Sequence, residues 1–292
     1  MKQQIELVKN TPQSMLGEGP MWHPVNNSLY WVNIVGMKLH CYDPLNKYTE
    51  TLELPSMVGT VVPATGLYEV LLALENGVFG LDKQRQLVKL ADYPADELPD
   101  NRFNDGKIDP KGRLWVGTMN KEVVDKAGNL YLFEGGKWQV KQAGVTISNG
   151  IAWSANAQTM FYIDTSQYQI WAYDYDCDKA LIDNKKVVVE IPKELGAPDG
   201  MTVDKQGMLW VAHWGGSAVI RWNPDTGERM ETIELPVPHV TSCTFGGEAL
   251  DTLYITTAQE GLNDTELKKF PLSGCLFSVK MDVQGLPANI WR

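Results

Sequence analysis

The sequence predicts an all-β chain folded as a six-bladed β-propeller with four-stranded blades, its ring closed by the N-terminal strand. Three observations carry this: one short apolar strand recurs six times, turn residues separate the copies, and no long segment has apolar residues at helical spacing. The copies read Leu29-Tyr30-Trp31-Val32, Val70-Leu71-Leu72-Ala73, Leu114-Trp115-Val116-Gly117, Met160-Phe161-Tyr162-Ile163, Leu209-Trp210-Val211-Ala212 and Leu253-Tyr254-Ile255-Thr256. Their starts lie 41, 44, 46, 49 and 44 residues apart. A blade of four strands typically takes about 40–50 residues.

A second alternating strand follows in most units, as in Leu39–Asp43, Leu130–Glu134, Ile170–Asp174 and Val219–Asn223. Outer strands then appear at Thr51–Pro55, Val187–Pro192 and Thr232–Pro236. The sixth unit has little chain left after Leu276-Phe277-Ser278-Val279, so its outer strand is assigned to Ile5-Glu6-Leu7-Val8 from the other end of the chain. That closure would protect an otherwise open sheet edge. With no linker between units, the 292 residues read as a single domain, 1–292.

Composition narrows the function. A net charge of −10 repels phosphate backbones and anionic lipid, which argues against nucleic-acid and membrane partners. No run of about 18 apolar residues is present to span a bilayer. The start, Met1 to Leu7, is charged and alternating rather than continuously apolar, and points to a cytoplasmic location. Cys41, Cys177, Cys243 and Cys275 are scattered singly, so neither a disulfide frame nor a thiolate zinc site is expected. His23, placed in a turn, His40, His213 and His239 show no ligand spacing and are read as packing residues.

Two repeats align without gaps, Asn104 to Trp115 and Asp199 to Trp210. Their shared Asp-x-x-Gly, at Asp109 to Gly112 and Asp204 to Gly207, reads as a hairpin turn in which Asp caps the backbone and Gly takes a positive φ. Asp109 and Asp204 are therefore structural. Counting back from the strand aromatic in each unit reaches Glu18, Gly59, Asn104, Asn149, Asp199 and Ser242. Innermost propeller strands converge on a channel, so this register forms a polar ring on an apolar scaffold. Any one of these residues could simply start a strand after a loop. Glu18, Asn149 and Asp199 together supply hard oxygen ligands for one divalent cation, Ca²⁺ ahead of Zn²⁺, Mg²⁺ or Mn²⁺. Three protein ligands also leave room for water and substrate.

Along the same register, Gly17-Glu18-Gly19-Pro20-Met21-Trp22, Arg102-Phe103-Asn104-Asp105-Gly106-Lys107, Gly117-Thr118-Met119, Ile147-Ser148-Asn149-Gly150, Pro198-Asp199-Gly200-Met201 and Thr241 to Gly247 resemble, in order, the motifs of the gluconolactonase and senescence-marker-protein (regucalcin) family. The resemblance implies a six-bladed propeller with one catalytic divalent metal, ligated by Glu18, Asn149 and Asp199, that hydrolyses a small-molecule sugar lactone. It implies substrate-binding roles for Arg102, Asn104 and Glu122, and makes Asp199 the catalytic general base, with cation-bound hydroxide as the competing nucleophile. Gly19 stands where animal members often carry Ser, and the shorter stretch between Met119 and Leu130 is expected to form part of a lid. Ester or phosphotriester hydrolysis at the same site, a non-catalytic calcium-binding regulator and a protein-binding platform are the rival readings. A closed ring leaves no obligatory edge for assembly, so a monomer or weak homo-oligomer is expected.

Overall fold

A computed structural model describes residues 4–292. Met1 to Gln3, where the charged opening stretch begins, lie outside the described residues. Among the described residues, no helix is long and apolar enough to cross a membrane.

The six repeats form six four-stranded antiparallel sheets. Blade one comprises Gly17–His23, Ser28–Asn33, Lys38–Asp43 and Tyr48–Glu53, hydrogen-bonded in chain order. Blades two to five repeat this plan, with first strands Val58–Pro63, Asn101–Ile108, Ser148–Trp153 and Ala197–Val203. Each recurring apolar segment is the second strand of its blade. Blade six takes Val240–Gly246, Thr252–Thr257 and Phe277–Lys280 from the end of the chain and Ile5–Leu7 from its start. Ile5 pairs with Val279 and Leu7 with Phe277, which is the predicted closure.

The blades are strongly apolar because both faces of each are covered, not one. Six hydrophobic clusters form, one in each interface between neighbouring blades. Val32 and Leu72 meet between blades one and two, Leu132 and Tyr162 between three and four, and Trp22 and Tyr254 across the closure. Trp31, Trp115 and Trp210 are almost wholly buried in second strands.

The first strands pack against one another around the ring. Every one of them breaks register near its start: between Glu18 and Met21, Val58 and Thr60, Phe103 and Gly106, Asn149 and Ile151, Pro198 and Met201, and Val240 and Ser242. Such bulges twist a strand and re-aim its side chains. They fall on the polar ring, at the end of the channel called here the mouth. The opposite end, the base, carries the Asp-x-x-Gly hairpins.

Three features depart from the sequence reading. His23 is the last residue of a strand, paired with Ser28, rather than part of a turn. A short helix, Asp264–Lys269, interrupts blade six and is fixed by a capping box between Asn263 and Glu266. The C-terminal residues return across the base: Gly285 bridges Asp204, and Trp291 bridges Ala64.

Candidate active site at the mouth of the channel

The bulged starts of the first strands bring Glu18, Asn104, Asn149 and Asp199 to one end of the channel, each at most 8% exposed. Close approach dictates the small residues among them. A Cβ on Gly59 would lie 2.4 Å from the Phe103 backbone, and one on Gly200 would lie 2.0 Å from Ser242 Oγ. These glycines let inner strands pack close to the ligand-bearing ones.

A chain of hydrogen bonds joins half the site. Arg102 Nη1 donates to Asn104 Oδ1 at 2.6 Å. Asn104 Nδ2 donates to the Ser148 carbonyl at 2.8 Å and to Asn149 Oδ1 at 3.3 Å. Asn149 Nδ2 donates to Thr165 Oγ1 at 2.8 Å, which leaves its carbonyl oxygen to accept from Asn104. Thr165 had no signal in the sequence, since it lies past the second strand of blade four.

The other half is a carboxylate pair. Glu18 and Asp199 lie within hydrogen-bonding reach of each other. Glu18 also accepts from the Gly19 N–H at 2.8 Å. Burial, then the nearby Asp105 charge, pushes the Glu18 carboxyl up to about 8. Burial followed by the Glu18 charge holds Asp199 well above the ordinary carboxylate range. Asp199 Oδ1 is buried with no hydrogen-bond partner. Two buried carboxylates cannot donate to each other without a proton, so this pair calls for a proton or a cation. Glu18, Asp199 and the Asn149 carbonyl, buried at the same end of the channel, are all oxygen donors, and with the orphaned Asp199 Oδ1 they fit a hard divalent cation. Among the described residues no group of three or more His, Cys, Asp or Glu side chains is placed to hold a metal ion; this site offers two carboxylates and an amide.

Glu122 stands apart from this constellation. It lies on the exposed turn that follows Asn120 at the mouth, and its backbone N–H donates to Asn120 Oδ1 at 3.0 Å. Its side chain makes no hydrogen bond or ion pair to Arg102 or Asn104. The adjoining Lys121 pairs with Glu75 of blade two at 2.5 Å, so the start of the turn, where a lid was expected, is tied to the neighbouring blade.

Two residues of the Asn104-to-Lys107 motif that received no role also enter the channel. Asp105 is buried and accepts from the Gly106 N–H at 2.7 Å, and burial raises its carboxyl. Lys107 Nζ donates to the Met201 carbonyl at 3.0 Å. Both line a cavity of about 240 Å³ that runs from below the mouth to the base, where Leu286 to Asn289 of the C-terminal segment bound it.

The histidines are packing residues throughout. His23 Nε2 lies 2.9 Å from the Glu69 carbonyl and His40 Nδ1 lies 2.9 Å from Thr51 Oγ1. His213 sits inside a second strand, its Nδ1 on the Leu195 carbonyl and its Nε2 accepting from Trp222 Nε1.

A six-bladed propeller with a buried oxygen-donor set at one end of its channel defines the class. Residues 16–259 match the SMP-30/Gluconolactonase/LRE-like region, and the chain belongs to that family. It is 37% identical to a Bacillus subtilis candidate sugar lactone lactonase, YvrE, over 94% of both chains. It is also 37% identical to regucalcin of Danio rerio over 93% of both. A crystal structure of regucalcin from Agrobacterium tumefaciens, described as a calcium-binding protein, superposes with a TM-score of 0.93 at 28% identity, covering 100% of this chain and 97% of that one. A luciferin-regenerating enzyme superposes equally well, with a TM-score of 0.93 at 29% identity and 99% coverage of each chain. Membership of this family supports hydrolysis of a sugar lactone.

Proposed function

We propose that the chain hydrolyses a sugar lactone to the free sugar acid, with one divalent cation, Ca²⁺ foremost, held by Glu18, Asn149 and Asp199. The observation that carries this reading is the orphaned, buried Asp199 Oδ1 beside Glu18. Asn149, the third proposed ligand, accepts from Asn104, which in turn accepts from Arg102, a guanidinium–amide pair suited to sugar hydroxyls. A cation bound there supplies the charge that polarises the lactone carbonyl and stabilises the oxyanion of the tetrahedral stage. Arg102 and Asn104 hold the ring by its hydroxyls, which accelerates the reaction by orientation. Asp199 is the group that takes the proton of the attacking water, and when the ring C–O bond breaks it returns that proton to the leaving ring oxygen, giving the hydroxyl of the open acid. Glu122, on its turn at the mouth, is the further carboxylate assigned to the substrate hydroxyls.

The test is proton release from D-glucono-δ-lactone, corrected for spontaneous opening, by chelator-stripped protein to which Ca²⁺, Zn²⁺, Mg²⁺ or Mn²⁺ is returned in turn. Turnover restored by a cation is expected. Absence of turnover with every cation, on pentono- and hexonolactones alike, transfers the site to the phosphotriester or non-catalytic reading.

A further inference from the structure

Six second strands end at the mouth, and five of them end in a buried residue: Asn33, Leu74, Asn120, Asp164 and Thr257. Blade five ends instead in Trp214, which is only partly buried. Trp214 pairs with Ala197, two residues before Asp199, so it stands at the mouth end of the strand beside the one that carries Asp199. His239 bridges it from the strand entry of blade six, and the two rings stack with centroids 4.1 Å apart and planes 12° from parallel.

The pair is held in place from several sides. His239 Nδ1 donates to the Glu260 carbonyl at 2.8 Å. Trp214 packs against the apolar cluster containing Leu16 and Ala258, beside the strand that carries Glu18. A Cβ on Gly261 would lie 3.4 Å from His239 and 3.8 Å from Trp214, so this loop runs close over the stacked rings. Glu260 is also the carboxylate that most strongly attracts Arg102. The mouth is therefore two-sided, with Arg102 and Asn104 on one side and a stacked, half-exposed aromatic surface on the other.

A sugar lactone is two-sided in the same sense. Its hydroxyls point outward, while the C–H groups of the closed ring make an apolar face. Its open-chain product keeps the hydroxyls and loses that face. We infer that Trp214, backed by His239, is a specificity-determining wall that stacks on the C–H face of the closed lactone ring and favours it over the open acid. This rests on the lactonase reading above. It gives the site a means of releasing product, because the contact is lost when the ring opens.

The test compares wild type with Trp214→Leu, which keeps apolar packing without a flat ring, and Trp214→Phe, which keeps a flat ring. KM and kcat for D-glucono-δ-lactone are measured with Ca²⁺ present, together with inhibition by gluconate. Trp214→Leu is expected to raise KM roughly tenfold with kcat held within about twofold, and Trp214→Phe to recover most of the loss. The inhibition constant for gluconate is expected to move by less than about twofold, since stacking is confined to the ring. Should Trp214→Leu fail to fold, Trp214→Phe and His239→Ala carry the same comparison with smaller rises in KM. An unmoved KM in a folded variant overturns the inference and leaves the lactonase reading standing. So does a parallel rise in KM and in the gluconate constant. No turnover by wild type overturns both.

Discussion

Asp199 and Asp204 lie five residues apart in one inner strand and its turn, and both are buried, at 5% and 0% exposure. Their surroundings differ completely. Asp204 accepts five hydrogen bonds, from the Gln206 and Met208 N–H groups, from Trp210 Nε1 and from Nε and Nη2 of Arg221. Asp109 repeats the pattern two blades earlier, with the Lys111 and Arg113 N–H groups, Arg113 Nε, Trp115 Nε1 and Tyr175 OH. Asp199 instead faces Glu18 and leaves Oδ1 without a partner. A buried carboxylate whose acceptor sites are filled holds the fold together. One left open, beside a second carboxylate, is available to a ligand.

The strongest way to break this comparison is to remove each type in turn. Asp199→Ala is expected to lower lactone turnover by roughly 10³-fold or more. The cation-free protein should melt no lower than wild type, because a buried carboxyl with an unsatisfied oxygen has been removed. Asp109→Ala should do the reverse, costing about 3–5 kcal/mol of stability by stranding the buried Arg113, with cation affinity retained. Urea melts and Ca²⁺ titrations of both proteins decide the matter. Equal loss of cation binding in the two variants collapses the distinction.

A cation that binds only the folded state also stabilises it. Ca²⁺ at a hundred times its dissociation constant is expected to add about 2.7 kcal/mol to wild type. It should add nothing to Asp199→Ala, and a calorimetric scan with and without Ca²⁺ reads the difference.

The smallest effect sharpens the structural side. Burial pushes both His213 and His40 down to about 4. The unfolded chain then binds more protons than the native state between roughly pH 4 and 6.5, so stability is full above that window and falls as pH drops through it. By pH 5 each histidine should cost about 2 kcal/mol relative to pH 7.5. His213→Gln is expected to shrink the difference in urea midpoint between those two pH values, with the His40 share remaining.

Much of this was legible before any coordinates. Repeat spacing places all six second strands, and the outer strand missing from the sixth unit, assigned to Ile5-Glu6-Leu7-Val8, closes the ring with Ile5 to Leu7 paired on Phe277 to Val279. The Asp-x-x-Gly turns also form as expected, with Gly112 and Gly207 at φ of 86° and 84°. The register count brings Glu18, Asn149 and Asp199 to one end of the channel because a strand's residue count fixes its length along the sheet. Glu122, which only the family resemblance implied, lies outside that register. It lies on an exposed turn, where no strand register fixes where a side chain points.

What the sequence determined alone is whatever repeats: the all-β class, the blade period, the turn aspartates and the polar register. Period and alternation are local properties, so they survive without knowledge of neighbours. Tertiary structure decided which buried carboxylates are satisfied and which are not. The donors to Asp109 and Asp204 include Tyr175 and Arg221, 66 and 17 residues away. It also decided that Asp105 and Lys107 share the channel, that the C-terminal residues cross its base, and that Trp214 stacks on His239 at its mouth. Each of these is a meeting of distant segments, set by how the blades close into a ring rather than by any pattern within a blade.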